Sequence, residues 1–360
     1  MKIRDRYITK TLLSYTIIVL VVWASIYSFF NFLTELSNVG NEGYTVLSAF
    51  TYIILKLPEV VYKQASPIIL LGCILGMGHL ATTGQLLIFR VSGGSILKIT
   101  LLTLKNSLIF VLFFISIGEF LAPITSSYAE NSRSNAMGNS SVSLNQNGFW
   151  IRDGDNFINV KKNIDGKLFR SIKVIEVNSM NKIERVIKSE NAIFDGDSLD
   201  MSSSEIFSIN ESRLFDKISL KERNSYNKTV SFDQDLIDSL EKEPEDLSTL
   251  TLIKQIRFLS DNKLRSGVFE AELYKRLIQP ITLIAMILLA MLFIFGSTRD
   301  VTLGRKIFFG VALGLSFEML SRIASAMALG LDVSPFLSSI LPSIMAVSYT
   351  HLTLPTNREV

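Results

Sequence analysis

The chain reads as a polytopic α-helical membrane protein of six spans, the last cut short, with a mainly β domain inserted between spans three and four. Two observations point to this class. Apolar residues make up 48% of the 360 residues and the mean hydropathy is +0.35, more than an ordinary soluble domain carries. The long apolar runs sit at the two ends of the chain, and between them lies a polar island, residues 125–272. That island holds short runs such as Phe149-Trp150-Ile151 and Asn156-Phe157-Ile158-Asn159-Val160, joined around Asp153-Gly154. Asp-Gly between such runs marks a hairpin, because its tight turn needs positive φ. A second Asp-Gly follows at Asp195-Gly196.

Taken in order, Met1 to Lys10 is a basic lead carrying Lys2, Arg4, Arg6 and Lys10, either a topogenic anchor or a contact element. Span one is expected over 12–32; it is of spanning length and lacks a small-residue cleavage site, so it reads as a retained span. Residues 45–64, interrupted by Lys56 and Pro58, suit an interfacial helix. Span two follows over 66–79, where Gly72, Gly76 and Gly78 allow close helix approach. Residues 81–98 are too polar and glycine-broken to span; within them a coupling segment, about 82–94, predicts a short helix, 85–91, ended by Ser92-Gly93-Gly94. Its apolar Leu86, Leu87, Ile88 and Phe89 belong either to a plain connector or to a docking helix for a cytoplasmic partner.

Span three is expected over 99–121, with Pro123 opening the polar island. After the island a charged approach with Lys275 and Arg276 leads to span four, 280–295. A basic loop carries Arg299, Arg305 and Lys306, and span five, 307–329, carries Glu318 and Arg322, which can neutralise each other at i, i+4. The sixth apolar run, 336–347, is only about half the ~20 residues a crossing helix needs. Residues 348–360 differ in character and are expected to be foreign to the natural chain. The domains are therefore 1–124, 125–272 and 273–347. Lys and Arg in short loops stay in the cytoplasm. The basic N-terminus, the loop with Arg90 and Lys98, and the loop with Arg299, Arg305 and Lys306 thus share the inner side. The β domain falls outside.

Little in the sequence suggests catalysis. The net charge of +3 offers no basic field for nucleic acid. One cysteine (Cys73) and two distant histidines (His79, His351) exclude a disulfide framework and make a metal centre unexpected. Phosphate-loop, zinc-protease and nucleophile-elbow patterns are absent. The carboxylate pairs Asp153/Asp155 and Glu243/Glu245 fall in turns and linker and read as solvated. No enzyme activity, cofactor or metal is expected.

Three stretches resemble the permeases of lipopolysaccharide exporters, the LptF/LptG family, in their LptG-like form: Arg4-Asp5-Arg6-Tyr7-Ile8, the block from Leu70 to Gly94, and Tyr274 to Gly304 with Ile278-Gln279-Pro280 and Phe293-Ile294-Phe295-Gly296. The resemblance implies an inner-membrane pair with an LptF-like permease, driven by an LptB-like ATPase dimer. The external domain would then be a periplasmic β-jellyroll joining LptC-like and LptA-like proteins in a bridge that carries lipopolysaccharide outward. Carried onto this chain, the ATPase-docking residues are Gly84, Gln85, Leu86, Leu87, Phe89 and Arg90. Relatives usually have glutamate where Gln85 stands. The lipid-binding candidates are Asn31, Arg133, Lys275 and Arg276. Relatives often have lysines where Asn31, Ser37 and Asn38 stand. An arginine fork suits phosphate, and interfacial snorkelling accounts for the three basic residues equally well. Inward residues of the jellyroll (Phe149, Ile151, Phe157, Ile172 and Val174) are either ordinary core or an acyl-chain groove. The rival function is a mechanical transmitter or anchored scaffold acting on a periplasmic partner. Such transmitters commonly insert the external domain between spans one and two, unlike this chain.

Overall fold

The computed structural model describes residues 3–40, 43–91, 94–137, 149–164, 167–178, 182–210, 217–232, 236–237, 244–295, 303–330 and 333–353. Ser92-Gly93, Glu243, most of the loop after Phe295 and residues 354–360 lie outside them. The chain divides into two compact units. One gathers residues 1–37, 50–129 and 270–360, the other 38–49 and 130–269. The short segment 38–49 joins the β unit, which the sequence did not suggest.

The first unit is helical. Its elements are α1 (Ile3–Leu36), α2 (Val46–Lys63), α3 (Ala65–Thr82), α4 (Gln85–Val91) and α5 (Ile96–Ser116). A π-turn (Ile117–Leu121) leads into α6 (Ala122–Ala136). Five helical stretches among the described residues are long and apolar enough to cross a bilayer: Arg6–Leu36, Ala65–Thr82, Ile96–Ala136, Gly267–Phe295 and Phe308–Met327. A shorter apolar stretch, Pro335–Ser348, follows.

Three prolines behave differently from expectation. Pro58 lies inside α2. Pro123 does not end span three, because the π-turn precedes it and the Ala122 N–H reaches five residues back to the Ile117 carbonyl. The widened turn makes room for a ring that would clash in a regular helix. Pro280 lies inside a continuous helix (Gly267–Phe295), so the charged approach and span four are one element.

α3 is the hub. Lipid competes for apolar surface, so helices in a bilayer associate through close packing and polar contacts rather than hydrophobic exclusion. Small residues therefore matter. A Cβ on Gly72 would collide with Thr16 Oγ1 and meet Thr16 Cα at 2.8 Å, and one on Gly76 would touch Leu12. α1 thus lies directly on α3. The helix carrying span five (Leu303–Gly330) packs on α3 from its own Gly310 and Gly314, which touch Leu71 and Pro67. The buried core runs through Ile8, Leu12, Ile69, Met77 and Phe114 to Met286 and Ala290. The last described helix (Pro335–Thr353) continues beyond Val347, and Ser343 shares a 2.7 Å hydroxyl contact with Thr282.

The second unit holds one antiparallel sheet in sequential order: β1 (Phe149–Asp153), β2 (Asn156–Ile164), β3 (Leu168–Val177), β4 (Ile183–Phe194), β5 (Ser198–Asn210) and β6 (Lys217–Thr229). Asp153 pairs with Asn156, so the first turn is Gly154-Asp155, shifted by one residue from the Asp-Gly expectation, with Gly154 at φ 58°. Gly196, at φ 96°, serves the second. The sheet curls on itself. Lys228 on β6 reaches Glu176 on β3 (2.5 Å) and Asn156 on β2 (3.0 Å), although three strand spacings would hold β3 and β6 about 14 Å apart in a flat sheet. Ser171 and Ser203, both at positive φ, mark the bend. There the buried Ser189 hydroxyl lies 2.7 Å from the Asn191 carbonyl and 2.5 Å from that of Ser202, meeting groups the interrupted ladder leaves over.

Inside the curl lie Ile151, Ile158, Ile172, Val174, Ile187 and Phe194. Three of the proposed groove residues (Ile151, Ile172 and Val174) are therefore core. Phe157 falls on the opposite face beneath Arg152, 5.3 Å from its ring centroid. The Phe149 side chain lies outside the described residues. Asp153 is not the solvated turn carboxylate expected of it. It is buried and accepts the Ser231 N–H (3.1 Å) and hydroxyl, tying the first hairpin to the chain after β6. α7 (Thr249–Asp261), capped by Ser248 Oγ on the Thr251 N–H, packs next to that corner, and Asn262 accepts from Gly154 N–H at 2.9 Å. The helices of spans four and five and the last described helix are α8 (Gly267–Phe295), α9 (Leu303–Gly330) and α10 (Pro335–Thr353).

Candidate functional site

At the end of α3 the chain must turn and restart a helix within two residues. Thr82 and Thr83 hydroxyls donate to the His79 carbonyl, and Gly84 takes φ 74°, which a side chain would resist. The Gly84 carbonyl then accepts from Leu87 and Ile88, starting α4. α4 ends where Gly94 N–H donates to the Phe89 carbonyl; a Cβ on Gly94 would lie 2.6 Å from that oxygen.

α4 has two faces. Leu86 is buried in the span core and Phe89 packs partly against it. Leu87, Ile88 and Val91 are 56%, 67% and 81% exposed. Leu86 is therefore the anchor of α4 rather than part of its outward surface. Ile88 and Val91 join Leu87 in its place. Arg90 is exposed, and Gln85 is half-buried with its Oε1 lacking a donor among the described residues. Leu87, Arg90, Val91, Gly94 and Ile96 line an open hollow of about 360 Å³. An apolar cluster rimmed by one cation suits a protein partner.

The lipid candidates separate into different settings. Asn31 donates to the Tyr27 carbonyl of its own helix (2.9 Å) and lines a hollow of about 180 Å³ between α1 and α2 with Tyr52, Lys56 and Glu59. Glu59 is bonded to Lys56 (2.9 Å) and Lys63 (2.6 Å), so two cations share one buried carboxylate. Arg276 is buried and paired with Glu272 at 3.1 Å; Lys275 is more exposed and reaches the same carboxylate at 3.3 Å. Arg276 is thus held at its Nε edge by a carboxylate of its own helix, whereas Lys275 keeps an outward face. Arg133 lies half-buried in the last turn of α6.

Sequence reasoning passed over Glu59 and Glu272. Both were signalled by carboxylate–cation spacings of three and four residues on a helix (Glu59 with Lys63, Glu272 with Lys275 and Arg276). Tyr62 is a further member of the α2 and α8 neighbourhood. Its ring occupies the place a Cβ on Gly118 would take, fixing the π-turn against α2.

Comparison with known proteins places the chain firmly. Residues 6–353 match the family described as lipopolysaccharide export system permease LptF/LptG. The lipopolysaccharide export system permease protein LptG of Escherichia coli K12 is 27% identical over 341 residues, 94% of each chain. The protein of the same name from Haemophilus influenzae is 26% identical over 356 residues, 99% of each chain.

Proposed function

The chain belongs to the LptF/LptG family of lipopolysaccharide export permeases, and we propose that it is the LptG-like member of an inner-membrane pair with an LptF-like permease. A separate LptB-like ATPase dimer drives the pair. The N-terminus is cytoplasmic, the β unit is periplasmic and jellyroll-like, and LptC-like and LptA-like proteins extend it into a bridge toward the outer membrane.

The observation that carries this reading is the division of labour on α4. Leu86 fastens α4 to the span core while Leu87, Ile88 and Val91 face outward. α3, to which α4 attaches, also holds α1 through Gly72 and Gly76 and α9 through its Leu71 and Pro67. ATP-driven closure of a partner gripping α4 therefore moves α3, and α1 and α9 move with it as packed bodies. Spans one and five then narrow the space between the two permeases and drive the lipid outward. The chain supplies the mechanical path and the partner supplies the chemistry.

Co-purification with LptF-like and LptB-like proteins of the same source, followed by ATPase assay with and without lipopolysaccharide, tests the proposal. A stable complex whose ATPase responds to lipopolysaccharide is expected. Leu87→Glu places a charge on the outward face of α4 and is expected to release the ATPase while the two permeases stay together. Failure to form any complex would remove the pump and favour an anchored scaffold.

A further inference from the structure

Strand pairing sets Trp150, Asn159, Lys173, Lys188, Glu205 and Glu222 in one row across all six strands of the β unit. Each is the chain neighbour of a residue in the core row Ile151, Ile158, Val174, Ile187 and Ile206 or, for Glu222, continues the same register, so the row lies on the face opposite the core. Lys173 stands directly opposite Lys188, and Glu205 directly opposite Glu222. Like charges so placed destabilise a sheet. Among the described residues no ion pair relieves these four; Lys188 lies instead over the Phe207 ring, 5.0 Å from its centroid. Elsewhere in the same unit charges are matched, as where Glu176 meets Lys228 and Arg185.

The row lines a hollow of about 770 Å³ together with the bend beside it, where Lys161, Ser171, Glu190, Ser203 and Asn224 interrupt the ladders. That volume is within the ~300–1,000 Å³ of small-molecule sites. Its lining is graded. Trp150, 55% exposed, stands at the β1 end, and its neighbour in the row, Asn159, is buried. Lysines dominate on β2 to β4 and carboxylates on β5 and β6, with Glu190 and Arg223 adding one opposite charge to each part. An ammonium group only donates hydrogen bonds and a carboxylate only accepts them, while the indole offers an apolar plane. A protein partner would call for an apolar centre, and only Trp150 and Ile172 of this lining are apolar. A sugar carrying acid groups uses all three chemistries: its C–H face stacks on an aromatic ring, its acid groups meet ammonium, and its hydroxyls donate to carboxylates.

We propose that this hollow binds an acidic oligosaccharide, with one ring stacked on Trp150, acid groups at Lys173 and Lys188, and hydroxyls donating to Glu205 and Glu222. The occupant turns both repulsions into shared contacts: an anionic group is held by two lysines at once, and hydroxyl donors are shared by two carboxylates. The site lies on the face opposite the apolar core, so it is separate from any acyl-chain path inside the curl. The geometry belongs to the β unit alone. Which glycans reach it rests on the permease reading, which sets the β unit outside the membrane, where the saccharide of lipopolysaccharide and the glycan of the cell wall both carry acidic sugars.

The test uses the full chain in detergent. Trp23→Phe leaves Trp150 as its single tryptophan, and the fluorescence of that variant is titrated with the delipidated oligosaccharide of lipopolysaccharide, with soluble cell-wall glycan fragments and with a neutral maltooligosaccharide. A saturable change with an acidic glycan is expected, and the tighter binder of the two identifies the source. Lys173→Gln is expected to weaken binding about tenfold, the scale of one charge-assisted contact, and Glu222→Gln about threefold, on the lower scale of a neutral hydroxyl donor. Lys167→Gln, which removes an exposed lysine outside the row, is expected to leave it unchanged. Lys173→Gln and Glu222→Gln each also relieve a like-charge pair, so the melting temperature is expected to hold or rise, which separates lost binding from lost folding. No saturable change with either acidic glycan, equal affinity for the neutral one, or an equal loss in Lys167→Gln would overturn the proposal. No partner or ATPase enters this assay, so its failure leaves the permease reading standing, and failure of the permease complex to form leaves the site standing.

Discussion

Ala65–Thr82 and Phe308–Met327 are both long and apolar enough to cross a bilayer, but 78% of the first is buried within the chain and 11% of the second. The buried helix, α3, carries no formal charge and meets neighbours on several sides, with glycines where backbones come closest. The exposed one, α9, gives one stripe to α3 and turns the rest outward, with an ion pair on its flank. The contrast separates a helix packed on several sides from one packed along a single stripe. Apolarity alone does not distinguish them, since both qualify as spans. The distribution of close-packed glycines does: α3 sets Gly72 and Gly76 against α1 and receives Gly310 and Gly314 of α9, whereas those two glycines of α9 both meet α3.

The sharpest way to break this contrast is to place the same residue on each seam. Gly72→Leu drives a side chain into the backbone of α1, where Thr16 Cα lies 2.8 Å from the new Cβ. The loss is expected to exceed the ~1–3 kcal/mol typical of overpacking, because the obstacle is backbone. Little monodisperse protein should survive detergent extraction on fluorescence-detected size exclusion. Gly310→Leu meets the tip of Leu71, with Cδ2 at 2.9 Å, and a side-chain tip can move. A loss of about 1 kcal/mol, seen as a modest fall in melting temperature, is expected. Equal damage at both positions would show that α3 is no more central than α9.

The β unit gives a smaller effect by the same logic, since its closing seam rests on a few polar contacts rather than on packed backbone. Glu176 holds Lys228 and lies 3.5 Å from Arg185 Nε, and Tyr226 donates to it at 3.3 Å. Glu176→Gln is expected to cost about 1 kcal/mol and to speed hydrogen exchange along β6, leaving the β2–β3 ladder protected. Burial and the Glu176 charge raise the Tyr226 phenol above its ordinary value. The folded state therefore holds the proton more tightly than the unfolded one. Its contribution is full below the ordinary tyrosine range and is lost as pH rises through the folded value. Tyr226→Phe should flatten that alkaline dependence in a stability titration, and Glu176→Gln should bring phenolate formation to lower pH.

Local signals explain what the sequence revealed. Hydrophobic length marked the spans, Asp-Gly pairs marked two hairpins, and Thr-Thr-Gly followed by Ser-Gly-Gly framed α4. Proline was misleading, because whether Pro123 breaks a helix depends on a π-turn that no residue pattern announced. On α4, a seven-residue helix has too few turns for periodicity to say which leucine is buried. Leu86 became an anchor only through tertiary packing. The basic residues near the membrane ends were visible, but their availability was not. Arg276 is engaged by Glu272, while Lys275 and, on α9, Arg322 face outward.

The central claim is that this chain moves lipopolysaccharide by transmitting motion from α4 through α3. The most direct measurement reconstitutes it with its LptF-like and LptB-like partners in proteoliposomes and follows lipopolysaccharide transfer to a soluble jellyroll acceptor. Transfer that requires ATP, stops in Leu87→Glu and continues in a conservative Leu87→Met control is the predicted result. ATP hydrolysis without any transfer, in a complex that remains assembled, would contradict the account.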